Sequence, residues 1–258
     1  MLKLASWNVN SLKIRLEQVL DWMDKTNIDI LALQETKTID DNFPVAAFTE
    51  RGYQLCFAGQ KTFNGVAIIS RQPLANIITD IPDLDDPQRR ILASTIAGVR
   101  LINLYVPNGS EVNSEKYLYK LNWLEKVSAF IANELREHEH LAVVGDFNIA
   151  PEDCDVHDPA AWEGSVLVSP PEREAFARLL SYGLKDSFRL FPQEARQFSW
   201  WDYRALGFRR NRGLRIDHVL LTQSLVDCCL SSKIDKDARR AERPSDHAPV
   251  WVELDILP

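Results

Sequence analysis

Asn8, Glu35, Tyr105, Asp146, Asn148, Asp217, Asp246 and His247 are polar groups that close or follow short apolar runs, in KLASWNVN, IDILALQETK, VRLINLYVPNG, HLAVVGDFN, GLRIDHV and PSDHAPV. The set is rich in hard oxygen donors, with one histidine and no cysteine. Such donors favour magnesium, calcium or manganese over zinc. Short apolar runs that end this way read as strands delivering their tips to a shared site.

Each tip also has a plainer reading. Glu35 precedes Thr36 and Lys37, so its carboxylate should emerge at a strand end as a natural magnesium ligand, although a glutamate in that position is most often merely solvated. Asn8 could equally be a turn residue. In GDFN, Asp146 and Asn148 stand two residues apart and should project from one side of an extended strand. The carboxylate could hold and deprotonate a water, and the carboxamide could donate to a phosphate oxygen or ligate an ion. The alternative there is an Asx turn. His247, beside Asp246, is the best candidate for a phosphate contact, and Asp217 could orient and charge it. His138, His140, His157 and His218 lack comparable neighbours, and the first two read as exposed helix-end residues.

The chain of 258 residues with 45% hydrophobic content can bury a full core, and no linker or low-complexity block divides it, so one domain over 1–258 is expected. Cys56, Cys154, Cys228 and Cys229 show no CxxC spacing and read as reduced core thiols. No apolar run approaches the roughly 18 residues that span a bilayer, which suggests a soluble, cytoplasmic protein with no membrane partner and, by default, a monomer. The formal net charge of −7 argues weakly against a nucleic-acid partner. The distribution reverses that inference. Arg204, Arg209, Arg210, Arg212 and Arg215 follow Tyr203 with no acidic residue among them, and Arg239, Arg240 and Arg243 run up to PSDHAPV. A solvated arginine face is the alternative.

Helical spacing of Leu12, Leu16, Val19, Leu20 and Met23 predicts a helix after the first strand, with Ser11 as its cap. A longer helix is expected from about Ser114 to Arg136, and a third from Pro170 and Pro171 to just before Gly183. YQLCFA, GVAIIS and ILASTIA read as further strands. Strands that do not strictly alternate with helices point to two packed mixed β-sheets flanked by helices, a layered α/β sandwich. SWNVNS and GDFNIA form a crude internal echo, as if two halves each presented a strand end to one cleft.

With these residues assembled, the chain resembles the exonuclease III family of apurinic/apyrimidinic endonucleases, within the endonuclease, exonuclease and phosphatase superfamily. The likeness covers nearly the whole chain, through LQETK, QRRI at Arg89 and Arg90, YVPNG, GDFN, FSWWDYR, NRGLRIDH and PSDHAPV. GDFN and SDHAP identify the superfamily, and FSWWDYR with NRGLRID selects the DNA-repair branch. The resemblance implies a four-layered α/β sandwich and a magnesium-dependent phosphodiesterase, with manganese as a possible substitute. It would cut double-stranded DNA on the 5′ side of abasic sites and process 3′ termini. It also implies that Glu35 is the main metal ligand with Asn8 and Asp246 near the ion, Asp146, Asn148 and His247 standing in the same ligand group. Asp146 would prepare the attacking water, Asn148 and His247 would hold the phosphate, Asp217 would orient His247, and Tyr105 would place a phenol at the phosphate. Asn108, Trp200, Trp201, Arg204, Arg209 and Arg212 are the expected DNA contacts. Three departures stand out: Asn108 where many relatives carry glutamine, Ser11 in place of a frequent glycine, and the divergent 153–171 segment. Inositol phosphatases and sphingomyelinases, which use the same metal core, share GDFN and SDHAP without needing arginine-flanked tryptophans, and a non-catalytic DNA-binding module would be expected to have lost some ligand positions.

Overall fold

The computed structural model describes residues 1–82 and 84–256. Apolar runs become the strands, and the inner ones are buried on both faces. The chain begins β1 (Leu2–Asn8), α1 (Leu12–Thr26), β2 (Ile30–Gln34), α2 (Val45–Thr49), β3 (Gln54–Ala58), β4 (Val66–Ser70), β5 (Leu74–Ile78), β6 (Ile91–Ile96) and β7 (Val99–Tyr105). It continues α3 (Glu115–Glu137), β8 (Leu141–Asp146), α4 (Pro159–Trp162), α5 (Pro170–Ser181), β9 (Lys185–Asp186), β10 (Trp200–Trp201) and β11 (Gly213–Leu214). The last elements are β12 (Asp217–Leu221), α6 (Gln223–Val226), β13 (Cys229–Ile234) and β14 (Val250–Leu254).

Two six-stranded sheets result, in the orders β13-β14-β1-β2-β4-β3 and β5-β6-β7-β8-β12-β9. In each, only the central pair is parallel, β1 with β2 and β7 with β8, and every other neighbour is antiparallel. The internal echo in the sequence thus corresponds to matching sheets. The carboxyl ends of the parallel pairs and the amino ends of their antiparallel neighbours β12 and β14 all fall at one edge of the sandwich.

Leu4, Ile30, Ile68, Leu101, Val144, Val219 and Val252 pack between the sheets. Outside the first sheet, Leu12, Val19, Leu20 and Met23 of α1 and Phe48 of α2 cover Leu31, Leu33 and Ile69. Outside the second, Trp123, Leu124, Val127 and Ile131 of α3 with Phe176 and Leu179 of α5 cover Ile102 and Val143. The four layers therefore follow from three apolar seams.

The expected helices form, with one local correction. Ser114 does cap α3, its side chain accepting from the Tyr117 N–H. Ser11 does not cap α1. Its φ of 90° turns the hydroxyl away, and the Ser11 and Leu12 amides instead donate to the carbonyls of Glu35 and Thr36, at 2.7 and 3.0 Å. The start of α1 is thereby tied to the Glu35 loop. Of the cysteines only Cys56 is a core thiol; Cys154 is exposed and the vicinal pair half-buried. Among the described residues, no helix is long and apolar enough to cross a membrane.

Candidate active site

Strand alternation builds the site. On β1 the inward series Leu2, Leu4, Ser6, Asn8 passes from core to polar, as do Leu101, Asn103, Tyr105 on β7 and Ala142, Val144, Asp146 on β8. Just below the tips lies a buried polar layer that sequence reasoning missed. Gln34 donates to Ser6 Oγ at 3.0 Å and to Asn103 Oδ1 at 2.7 Å, and the Asn103 amide donates to the Leu33 and Ala67 carbonyls at 3.0 Å each. These amides cross-link the two sheets and fix the relative height of their tips.

Gly145 makes the central placement possible. A Cβ there would sit 1.9 Å from the Leu104 carbonyl oxygen, so any side chain would push β8 off β7. With glycine, Asp146 lies in register with Tyr105 on one side and Asp217 on the other.

Asn8, Glu35, Tyr105, Asp146, Asn148, Asp217, Asp246 and His247 do converge. Asn8 Nδ2 donates to Glu35 Oε1 at 2.8 Å and to Asp146 Oδ2 at 2.9 Å, bridging the sheets. His247 Nδ1 donates to Asp217 at 2.9 and 3.1 Å, and its Nε2 stands 3.8 Å from Asp146 Oδ2. Asp246 accepts from Asn10 Nδ2 at 2.9 Å and from Trp200 Nε1 at 3.0 Å. Lys37 Nζ lies 2.9 Å from Glu35 Oε2 and donates to Asn10 Oδ1 at 2.6 Å. Asn10 and Lys37 were missed as site residues, although both lie inside motifs that flag their neighbours.

Asn148 reaches the site by a different route from the one alternation predicts. The strand ends at Asp146, and Asn148 is left-handed at φ 49°. Its N–H donates to Asp146 Oδ1 at 2.9 Å, which is the Asx turn, and its Nδ2 returns to Asp146 Oδ2 at 3.1 Å. The turn and the site are one structure. Asn10, Ser11, Glu35 and Lys37 also have positive φ. Each costs roughly 1 kcal/mol or more, which surrounding contacts must offset.

The charges are unbalanced towards negative. Burial above all, with the Asp217 and Glu35 carboxylates adding and His247 opposing, raises Asp146 to about 7. Burial alone would lower His247, but Asp217 and then Asp146 lift it to about 10, so it is a cation at neutral pH. Burial, then Glu35 and Asp146, hold the Tyr105 phenol well above its usual range. The Arg90 guanidinium lies 4.7 Å from that ring's centre. Side-chain atoms of Glu35, Asp146 and His247 lie within 4.8 Å of one another, but the charged imidazole of His247 has no lone pair to offer, which corrects its expected place among the metal ligands and leaves the oxygens as donors. Hard oxygens in excess of nearby cations are the donor set a divalent ion suits, so the residues fit such a metal.

A cleft of about 320 Å³ opens above these groups, lined at its rim by Asn108, Trp162, Leu167, Trp200 and Arg204. Larger clefts lie against α4, beside Lys13 and Lys61, and beside Arg189 and Phe191, but none of them gathers the strand tips. Asn108 Nδ2 donates to Asn148 Oδ1 at 3.1 Å. Arg209 and Arg212 are exposed on the same loop as Arg204. Trp201 is a correction. It is fully buried against Phe198, Ala248 and Phe208, with Nε1 donating to Asn211 at 3.1 Å, so it cannot face DNA. Adjacent residues of a strand face opposite ways, and Trp200 took the cleft. Arg215 likewise leaves the exposed basic stretch, being buried between Asp155 and Asp186 at 2.6 and 2.7 Å.

Comparison with known proteins agrees with this geometry. The Endonuclease/Exonuclease/phosphatase family model matches residues 5–247. Exodeoxyribonuclease III of Haemophilus influenzae is 36% identical over 98% of this chain and 100% of its own. The chain belongs to the exonuclease III family. Among solved structures, the 3′ phosphatase NExo from Neisseria, bound to a product DNA hairpin, has a TM-score of 0.98 at 43% identity, covering 99% of this chain and 100% of that one. An AP endonuclease from Archaeoglobus fulgidus has a TM-score of 0.95 at 36% identity, with 99% and 100% covered. The exonuclease III fold is thus the four-layered α/β sandwich seen here.

Proposed function

We propose that this chain, as one domain over 1–258, is a DNA-repair hydrolase. It is a magnesium-dependent apurinic/apyrimidinic endonuclease with 3′-phosphodiesterase and 3′ to 5′ exonuclease activity on double-stranded DNA. The observation that carries this reading is the convergence of Asp146, the Asp217–His247 pair and Glu35 in one cleft whose rim bears Trp200 and Arg204. Glu35, with Asn8 and Asp246 beside it, would hold magnesium, or manganese in its place, and the bound ion would offset phosphate charge.

The protein's own groups supply the rest. Asp146, raised to about 7, is matched to take a proton from an attacking water near neutral pH. His247, kept charged by Asp217, and the Asn148 amide donate to the non-bridging phosphate oxygens, where negative charge grows as water adds. The bond from phosphorus to the upstream 3′ oxygen breaks, and Tyr105, which keeps its proton, stands where it can donate to the phosphate or the departing oxygen. Arg204, Arg209 and Arg212 follow the backbone, Trp200 offers an aromatic face to an extruded sugar, and Asn108 reaches the duplex. The protein acts as a monomer in the cytoplasm.

A second reading makes the chain a 3′-end specialist with weak abasic-site incision. The likeness to a 3′ phosphatase, 43% identical, exceeds that to the AP endonuclease at 36%, and Trp162 and Leu167 of the divergent segment form the rim where a sugar would enter. Purified protein incubated with an abasic-site duplex and with a 3′-phosphate nick, with and without EDTA, decides between them. Metal-dependent cleavage of the first at a rate comparable to the second supports the main reading, a rate at least ~10-fold lower supports the specialist, and no metal-dependent cleavage of either overturns both.

A further inference from the structure

We infer that Lys120, through its ion pair with Glu172, is a positioning residue that sets the backbone of Asn148 and Asn108 at the phosphate side of the cleft. The inference rests on the reading of Asn148 as a phosphate donor. Lys120 lies in α3 and Glu172 in the first turn of α5, and both are 0% exposed. The ammonium donates to the Asn148 carbonyl at 2.7 Å, to the Asn108 carbonyl at 3.2 Å and to Glu172. Its three protons thus have three acceptors. The Glu172 carboxylate in turn accepts from the Leu167 amide at 3.0 Å, the Ser169 amide at 3.1 Å and the Ser169 hydroxyl at 2.5 Å. One buried pair therefore joins three separate stretches that carry cleft residues: the loop after β7, the exit of β8 and the segment before α5.

Stability alone does not call for a charged pair here. Desolvation roughly cancels the attraction within a buried pair, so what this pair supplies is its bonds to the surrounding backbone. Apolar side chains, however, cannot hold two carbonyl oxygens at once. Asn148 needs such a hold, because its left-handed backbone persists only where neighbours over-determine it. Lys120 makes that contact from a helix whose face is fixed by Trp123, Leu124 and Val127. Neither Lys120 nor Glu172 reaches the cleft itself, so the pair acts through the groups it holds.

The test uses Lys120→Met and the paired Lys120→Met/Glu172→Leu, each also combined with Asn148→Ala, in single-turnover cleavage of whichever DNA the wild type cuts. The paired variant restores an apolar match and carries the test if Lys120→Met alone fails to fold. The expected result is a paired variant that folds but melts several degrees below wild type, because the Asn108, Asn148, Leu167 and Ser169 groups lose buried partners, with a kcat lower by about 100-fold and a KM within about 3-fold at a temperature where both proteins are folded. In the Asn148→Ala background the same change should cost less than ~5-fold, because the group being positioned is gone. Hydrogen exchange should quicken over residues 106–110 and 147–150 while the most protected core amides keep their rates. A paired variant with near-wild-type kcat, or an undiminished loss in the Asn148→Ala background, overturns the inference. If the wild type cuts no DNA, the functional reading fails separately, and the exchange experiment alone decides: unchanged protection of both stretches refutes positioning, and selective loosening upholds it.

Discussion

Replacing Asp217 with asparagine keeps the shape of the Asp217–His247 contact and removes its charge. Both Asp217 oxygens lie within 3.1 Å of the imidazole Nδ1, and both residues are buried. A unit charge about 3 Å away, at an effective dielectric of about 20, contributes roughly 5 kcal/mol, equivalent to about 4 pKa units. That is the size needed to carry a histidine from its ordinary value to about 10 against the opposing effect of burial. Without it, His247 should titrate near ~7 or below. Cleavage at about pH 7.5 should fall roughly 100-fold as the charged donor to the phosphate is lost, and the alkaline limb of kcat/KM should move from near 10 in the wild type towards ~7. Stability provides an independent readout. A folded-state pKa raised above the unfolded one adds stability that is fully present below about 6.5 and disappears as pH rises through the folded value. In EDTA, the wild-type melting temperature should therefore decline across that window, and the variant's should decline less. An Asp217→Asn enzyme whose alkaline limb stays in place, with kcat/KM within threefold of wild type, refutes this reasoning.

Two further outcomes follow from burial. Arg215→Met leaves Asp186 buried without a guanidinium and Asp155 held by Arg189 alone, which should cost about 3–5 kcal/mol and lower the melting temperature by roughly 10 °C in calorimetry; a drop under about 2 °C contradicts the assigned network. In the wild type His218, lowered to about 4 by burial and then Arg215, is neutral beside that cluster. Trp201→Ala should destabilise by about 3–5 kcal/mol through the cavity it leaves, whereas Trp200→Ala should slow cleavage while shifting the melting temperature by less than about 3 °C. Equal melting shifts for the two variants contradict their opposite orientations.

The strand tips were legible because alternation is strict: where a buried apolar series ends in a polar group on the same face, that group must emerge at the sheet edge. Asn8, Tyr105 and Asp146 follow this rule. Asn148 does not, because the strand ends at Asp146, before the phenylalanine of GDFN, and the Asx turn brings the amide back. Gln34 and Asn103 stayed hidden, since isolated amides in apolar runs reveal their role only through partners such as Gln34 with Asn103, far apart in sequence. Arg215 counted as a surface charge until Asp155, distant along the chain, proved to be its partner. The edge strands β5 and β13 carry weak patterns because nearly all their side chains are exposed or half-buried. Ser11 had the right residue type for a cap and the wrong backbone, which is set by its bond to the Glu35 loop.

The claim that the converging tips form one hydrolytic centre, with Asp146 accepting the proton of the attacking water, is tested most directly by measuring DNA cleavage and duplex binding together for Asp146→Asn. Asparagine preserves the shape and removes the base. The predicted result is a cleavage rate lower by at least ~1000-fold with duplex affinity within about 3-fold of wild type. Near-normal cleavage by Asp146→Asn would contradict the account at its centre.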